Sequence, residues 1–189
     1  EYYTSSGWRG TWKFDGGGAL MNQSIHFIDL LQWYMGPVES VKAYTAQAVH
    51  RYIETEDLGI AIVKFKNGAL GVIEGSTAIY PGLYDRVEIH GENGSVLIED
   101  SRIVRWEFRD QEPLDQKIIE EKGLETFDLG SSRDPMEIPY ELHKREIEDI
   151  INSLKEGKNP AIDGYEARKA VEIITAIYRA GETGEEVRL

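Results

Sequence analysis

Three side chains that can hydrogen-bond or exchange protons lie at helical spacing near the start of the chain. Asn22, His26 and Asp29 occupy positions i, i+4 and i+7 of the segment 20–35. At about 100° per residue they fall within roughly 60° of arc on one helix face. A neutral imidazole can take a proton from an alcohol, a carboxylate can fix the imidazole tautomer, and an amide can hold a neighbouring hydroxyl. The pattern therefore indicates chemistry on a hydroxyl-bearing ligand.

Three consecutive glycines, Gly16-Gly17-Gly18, precede this helix. A glycine backbone can adopt positive φ or let a ligand approach closely. The free N–H groups at a helix N-terminus favour an anionic or hydroxyl-bearing ligand. On spacing alone another interpretation stays open, because a polar stripe is typically the solvent face of an amphipathic helix and a single helical His is more often structural than catalytic.

The helix that positions these groups is predicted over 20–35. It ends at Gly36-Pro37, since glycine caps a helix cheaply and proline cannot continue it. Its apolar stripe, largely opposite the polar face, comprises Met21, Ile25, Ile28, Leu31 and Met35.

The middle of the chain is predicted to be β. Asn67-Gly68 is a strong signal for a type I′ hairpin. Residues 110–135 are polar and interrupted by Pro and Gly, and we expect a long excursion with one strand at Lys117–Glu120. The other predicted strands are Val38–Val49, Leu58–Phe65, Ala69–Ala78, Asp85–His90, Ser95–Glu99 and Ile103–Phe108.

Two helices are predicted to close the chain. The first runs from about Pro139 to Lys155, with an inward face of Leu142, Ile147, Ile150, Ile151 and Leu154. The second starts after Asp163 as N-cap, with Glu166 as capping-box partner, and ends near Gly181. It should bury Ala167, Ala170, Val171, Ile174 and Ile177.

This order of elements indicates an α+β fold: an open, mostly antiparallel sheet with helices packed on one face. The other face of the sheet must be covered, and self-association is the usual way. We therefore expect a dimer or tetramer through the open sheet face.

Composition excludes several classes of protein. The net charge of −13 disfavours nucleic-acid binding, which needs a cationic face. The chain has no Cys, which rules out disulfides and thiolate metal sites and fits a cytoplasmic protein. No spacing of His and carboxylates is typical of a metal site, so no metal is predicted. No apolar run is long enough for a transmembrane helix or signal peptide, so no membrane association is expected.

The chain resembles the C-terminal domain of the Gfo/Idh/MocA oxidoreductase family over nearly its whole length, excepting roughly 110–135. It is similar in particular to members that oxidise the 3-hydroxyl of UDP-N-acetylglucosaminuronate-like substrates. The residues that carry the resemblance are Gly7-Trp8-Arg9-Gly10-Thr11-Trp12, Asp15-Gly16-Gly17-Gly18-Ala19-Leu20-Met21-Asn22-Gln23, His26 and Ile28-Asp29, with weaker blocks in the right order such as Glu56-Asp57, Tyr80-Pro81-Gly82 and Gly164-Tyr165-Glu166-Ala167-Arg168-Lys169-Ala170.

The resemblance implies a parent enzyme of two domains. Residues 1–189 would form the substrate-binding and oligomerisation domain. An N-terminal Rossmann domain, absent from this chain, would hold NAD or NADP and supply a catalytic lysine near a Glu-Lys-Pro motif. This chain has no Gly-x-Gly-x-x-Gly fingerprint, so we expect the isolated piece to be inactive.

The resemblance also assigns site residues. His26 matches the catalytic histidine of the family, and Asn22 stands where much of the family has Asp, so we expect it to position substrate. Arg9, Thr11 and Tyr80 are expected to bind the sugar or nucleotide-sugar substrate, and Trp8 and Arg9 to reach the cofactor or substrate phosphates. Tyr80-Pro81-Gly82 is also typical of a simple turn, and Arg9 of a structural ion pair. A non-catalytic sugar sensor of the same fold is the alternative function, and the exact sugar and the choice of NAD or NADP stay open.

Overall fold

A computed structural model describes residues 2–83, 85–99, 102–122 and 140–189. The chain forms two compact units, Glu1–Ile79 with Ile162–Leu189 and Tyr80–Ala161. In chain order the elements are a π-helical turn (Ala19–Gln23), α1 (Ile25–Met35), β1 (Val38–Ala46), β2 (Leu58–Phe65), β3 (Leu70–Ser76), β4 (Arg86–His90), β5 (Gly94–Glu99), β6 (Arg102–Phe108), α2 (Pro113–Lys122), α3 (Tyr140–Glu156), α4 (Gly164–Thr183) and β7 (Val187–Arg188).

The first unit contains a four-stranded antiparallel sheet in the order β3-β2-β1-β7. The predicted hairpin at Asn67-Gly68 is confirmed, but its loop is one residue longer than a type I′ turn allows. The N–H of Gly68 donates to Phe65 O (2.9 Å), and Phe65 N–H donates to Ala69 O (2.9 Å). With Gly68 at φ +90°, this is the three-residue loop that ends in a glycine bulge.

One face of this sheet forms the core of the unit. Alternation along β2 buries Ala61, Val63 and Phe65, because successive side chains point to opposite faces of a strand. Helix α4 packs on this face over β1, and α1 packs against α4. The apolar stripe predicted for the first helix is confirmed: Ile28 is buried in the core, and Met21, Ile25, Leu31 and Met35 pack against it.

Helix α4 begins where the sequence predicts. The Asp163 carboxylate accepts from the N–H groups of Tyr165 (2.9 Å) and Glu166 (3.0 Å), as an N-cap residue does. Its buried face is rotated from the predicted one: Ala167 and Val171 are exposed, and Ala170, Ile173, Ile174, Ala176, Ile177 and Ala180 are buried. The helix also ends later than Gly181, at Thr183, with Gly184 in the left-handed conformation as its C-cap.

The second unit contains the antiparallel sheet β4-β5-β6. The strand expected at Lys117–Glu120 is wrong, because this segment lies in α2. Pro113 occupies the first helical position, which suits its fixed φ. The Asp115 carboxylate accepts from Glu112 N–H (2.7 Å) and from Trp106 Nε1 (2.8 Å). These two bonds close the start of the helix and tie it to β6.

Helix α3 forms as expected, but the described apolar side chains that were predicted to be buried are exposed. Of the five predicted to be buried, Ile147, Ile150, Ile151 and Leu154 are 40% to 75% exposed, and the side chain of Leu142 lies outside the described residues. The amphipathic pattern identifies the apolar face of a helix, but it does not say what covers that face.

The predicted α+β class with open antiparallel sheets and helices packed beside them is confirmed. Among the described helices, none combines the length and the apolar character needed to cross a membrane.

Candidate active site

The start of the predicted helix is a π-helical turn rather than regular α-helix. The N–H of Ser24 donates to Ala19 O (2.9 Å), five residues back, and regular α-helix resumes at Ile25. A turn of this kind contains more residues than an α-turn. Asn22 and His26 lie on opposite sides of the break, so the arc predicted from 100° per residue does not apply to them.

The Glu56 carboxylate holds the glycine segment that leads into this turn. Its oxygens accept the N–H of Gly18 (3.0 Å) and of Leu20 (2.9 Å), while its backbone carbonyl accepts the N–H of Ala19 (3.1 Å). Glu56 is 4% exposed. The donors that were expected to meet a ligand are therefore satisfied by the protein itself.

Close packing also explains why two of the glycines are needed. The Glu56 carbonyl oxygen occupies the space that a Cβ would take at Gly18, and the Tyr178 hydroxyl occupies the equivalent space at Gly17. That hydroxyl donates to Glu56 Oε1 (3.0 Å). At Gly17 and Gly18, side chain and backbone of the protein itself make the close approach that glycine permits, and Gly16 has the positive φ (+76°) that was the other expectation.

Burial shifts the pKa of both groups in the contact between Glu56 and Tyr178. It raises the pKa of the Glu56 carboxyl, although the Leu20, Gly18 and Tyr178 donors oppose the shift. Burial also raises the pKa of Tyr178, and the neighbouring carboxyl adds to the effect. Neither role was predicted from the sequence, where the available signal was the adjacent acidic pair Glu56-Asp57 just before a buried strand.

Asp57, the other half of this pair, closes a neighbouring loop. Its carboxylate accepts from the N–H groups of Ala48, Val49 (2.9 Å) and His50 (2.6 Å) and contacts His50 Nδ1 (3.1 Å). Burial raises the pKa of Asp57, but these donors together outweigh burial and lower it. Asp57 therefore shapes the loop before β2.

We expect Glu56→Gln to lower the free energy of unfolding by about 1 to 3 kcal/mol, the cost of a buried donor left unpaired. Each Glu56 oxygen accepts a backbone N–H. A glutamine amide has only one oxygen, so it can accept only one of these two N–H groups. Glu54→Gln is the matched control, since the exposed Glu54 accepts one backbone N–H, from Trp12, through a single oxygen (3.1 Å). Denaturant unfolding of both variants checks this, and equal losses would contradict it.

The Asn22 side chain joins the N-terminal loop to the π turn. Its Nδ2 donates to Asp15 Oδ1 (2.6 Å). Its Oδ1 accepts from the Tyr2 hydroxyl (3.1 Å) and from Gln23 Nε2 (3.3 Å). Asp15 was given no role from the sequence, although it stands in the block that carries the family resemblance.

Arg9 belongs to the same network. Its guanidinium lies 4.2 Å from the centre of the Tyr2 ring and 5.4 Å from that of Trp8, within range of cation–π attraction. Nη1 donates to Tyr2 O (3.2 Å) and Ser5 Oγ (2.8 Å). Nε is buried and has no partner among the described residues. The structure thus brings Trp8, Arg9 and Asn22 into one chain of contacts.

The other predicted site residues are placed as follows. The hydroxyl of Thr11 donates to Trp8 O (2.6 Å), so it closes the loop. His26 is exposed on the first turn of α1. Asp29 accepts from Gln32 Nε2 (3.2 Å), and no bond to His26 is found among the described side chains, so the expected Asp29–His26 contact is not made. Tyr80 is 96% exposed and is the first residue of the second unit.

Solved structures similar to this chain include two with bound ligands. One is the WlbA dehydrogenase of Bordetella pertussis in complex with NADH and UDP-GlcNAcA, with a TM-score of 0.85 and 38% identity over 100% of this chain and 52% of that one. The other is the WlbA dehydrogenase of Chromobacterium violaceum with the same two ligands, with a TM-score of 0.81 and 38% identity over 100% of this chain and 50% of that one.

A curated relative and a family model also match this chain over most or all of its length. Myo-inositol 2-dehydrogenase of Thermotoga maritima is 26% identical over 179 residues, which cover 92% of this chain and 49% of that enzyme. The chain thus spans about half the length of the relatives it matches. The model described as oxidoreductase family, C-terminal alpha/beta domain, of the Gfo/Idh/MocA group matches residues 1–189. The chain therefore belongs to the C-terminal domain family of the Gfo/Idh/MocA oxidoreductases.

Proposed function

We propose that this chain is the substrate-binding half of a nicotinamide-dependent oxidoreductase that oxidises a hydroxyl group of a nucleotide-linked sugar acid. The observation that carries the proposal is the Arg9–Tyr2–Asn22 network, which precedes the exposed His26 in the sequence and in which the buried Arg9 Nε has no partner among the described residues. The likeness to two dehydrogenases solved with NADH and UDP-GlcNAcA supports the substrate class.

His26 supplies the proton-transfer group of this chain. The imidazole is exposed and is therefore open to a ligand. A neutral imidazole can accept the proton of an alcohol as that alcohol is oxidised. Asn22 orients the sugar through its side-chain amide, and this positioning reduces the entropy lost on the way to the transition state.

Arg9 fits the phosphates of a cofactor or of a nucleotide sugar. The Arg9 side chain is half-buried, and a guanidinium makes charge-assisted hydrogen bonds to anionic oxygens. The indole of Trp8, which is 44% exposed, offers a surface beside it. A bound nicotinamide would supply the acceptor for the hydride that leaves the sugar carbon. NAD and NADP both meet this requirement.

Turnover of the full-length protein tests the proposal. The protein is supplied with NAD or NADP and a UDP-linked hexuronate, the matching free hexuronate or myo-inositol, and formation of the reduced nicotinamide is followed by absorbance. We expect the UDP-linked substrate to be oxidised with the highest kcat/KM. Binding without turnover would favour the sensor function, and preference for an unlinked polyol would refute the substrate class.

We also propose that the open face of the four-stranded sheet in the first unit binds a second copy of this chain. Its apolar side chains are 42% to 78% exposed, and they run across three neighbouring strands: Tyr44 on β1, Ile60 and Ile62 on β2, Leu70 and Val72 on β3. Lys42, Lys64 and Glu74 lie on the same face. A face with both signs of charge can be self-complementary, as a two-fold interface requires.

Ile62→Glu is expected to shift a dimer or tetramer towards the monomer, because it would bury an unpaired charge in the interface. Val171→Glu, on the exposed side of α4, is the control and should leave the mass unchanged. Light scattering coupled to size exclusion measures both. A stable wild-type monomer over a wide concentration range would rule out the interface.

A further inference from the structure

The side-chain amide of Asn22 has one hydrogen-bonding position left. An amide can donate twice and accept twice. Nδ2 donates once, to Asp15 Oδ1 (2.6 Å), and Oδ1 accepts twice, from the Tyr2 hydroxyl and Gln23 Nε2. Among the described residues no partner is found for the second N–H of Nδ2. The remaining position of the amide is therefore that of a donor and not of an acceptor.

Asp15 fixes this orientation of the amide. An ionised carboxylate accepts hydrogen bonds and donates none. Turning the Asn22 amide over would place its oxygen against Asp15 Oδ1 and its nitrogen against the donor Gln23 Nε2. The contact with Asp15 would then be repulsive, whereas the observed charge-assisted bond is among the stronger kinds.

Asp15 is itself held in place. Its second oxygen accepts the N–H of Gly10 (2.8 Å), and its own N–H donates to Thr11 O (3.0 Å). The side chain is half-buried. Rotation of the carboxylate away from Asn22 would therefore break the bond that closes the loop at Gly10.

We infer that Asp15 is a positioning residue: it orients Asn22 so that a free N–H of Nδ2 binds an acceptor oxygen of the sugar substrate. The inference rests on the proposed function. It also accounts for Asn, rather than Asp, at position 22. An aspartate there would face the Asp15 carboxylate at hydrogen-bond distance, and two such groups repel unless they share a proton.

A double-mutant cycle in the full-length protein tests this, with Asp15→Asn, Asn22→Ala and the double variant assayed on the substrate that the wild type oxidises best. Asp15→Asn should lower kcat/KM by about tenfold to a hundredfold. In the Asn22→Ala background the same change should have almost no further effect, because Asp15 acts through Asn22. A structural role would give additive losses, and additivity would overturn the inference.

Asp149→Asn is the matched control. The Asp149 carboxylate also closes a loop, accepting the N–H of Ala161 (2.8 Å), but it belongs to the second unit and is not part of this network. It should leave kcat/KM unchanged.

The cycle separates the two proposals. If Asn22→Ala leaves kcat/KM unchanged, or no sugar is oxidised, the proposed function fails. The cycle is then measured on the denaturant midpoint, where additive effects of Asp15→Asn and Asn22→Ala would still refute the orienting contact. If Asn22→Ala is impaired and Asp15→Asn is not, the positioning inference alone fails.

Discussion

Replacing Gly18 with alanine is expected to lower the free energy of unfolding by about 3 kcal/mol or more, enough to reduce the yield of folded protein. The added methyl group would occupy the position of the Glu56 carbonyl oxygen. This oxygen cannot move away cheaply, because it accepts the Ala19 N–H and the Glu56 side chain is bound to the same segment. Denaturant unfolding measures the loss.

Alanine substitutions at two other glycines provide comparisons for the loss of stability at Gly18. At Gly7, no heavy atom lies within 4 Å of an added Cβ, so Gly7→Ala should be close to neutral. At Gly17, the obstacles are the Tyr178 hydroxyl, which can shift at the far end of its side chain, and the Cβ of Met21, which lies next to the backbone, so a loss larger than that at Gly7 is expected. Equal stability of the Gly18→Ala and Gly7→Ala variants would contradict the packing that we describe.

His26→Ala is expected to lower kcat of the full-length enzyme by about a hundredfold to ten-thousandfold, the usual contribution of general acid–base catalysis. Stability should be nearly unchanged, because the side chain is exposed and no hydrogen-bond partner for it is found among the described residues. His26→Asn should be as impaired as His26→Ala, since an amide can hold a hydroxyl but cannot exchange its proton.

His143→Ala is the control for this prediction, because His143 is also an exposed helical histidine but lies on α3. It should retain full turnover. If His26→Ala kept its turnover on the best substrate, His26 would have no role in proton transfer. If His26→Asn alone kept it, His26 would only position the sugar.

The elements that local chemistry specifies could be predicted from the sequence. Asp163 starts α4 because a free carboxylate satisfies the first N–H groups of a helix, and Gly68 closes the β2–β3 hairpin because it tolerates φ +90°. The rotated face of α4 was missed: the periodicity of small residues such as Ala167 and Ala176 says little about which of them is buried. Lys117–Glu120 was assigned to a strand because a short apolar pair fits either period.

The candidate site was predicted in part. The residue types and order around Asn22 and His26 indicated the segment, but a 3.6-residue period cannot reveal the π turn at Ala19–Gln23. The role of the glycine segment was predicted only in part, because the carboxylate that accepts the N–H groups of Gly18 and Leu20 comes from Glu56, more than thirty residues later. Contacts between residues so far apart in the sequence, including the bond from Tyr178 to Glu56, form only in the folded protein. They leave no local pattern in the sequence.

The most direct test of the central claim is a crystal structure of the full-length protein with NADH and the nucleotide-linked sugar acid that it oxidises best. We predict a ring nitrogen of His26 within about 3.2 Å of the reacting sugar oxygen, the reach of a general base. Asn22 Nδ2 should donate to an acceptor oxygen of the same sugar while it keeps its bond to Asp15. A sugar bound elsewhere, with the His26 imidazole in solvent, would contradict the account.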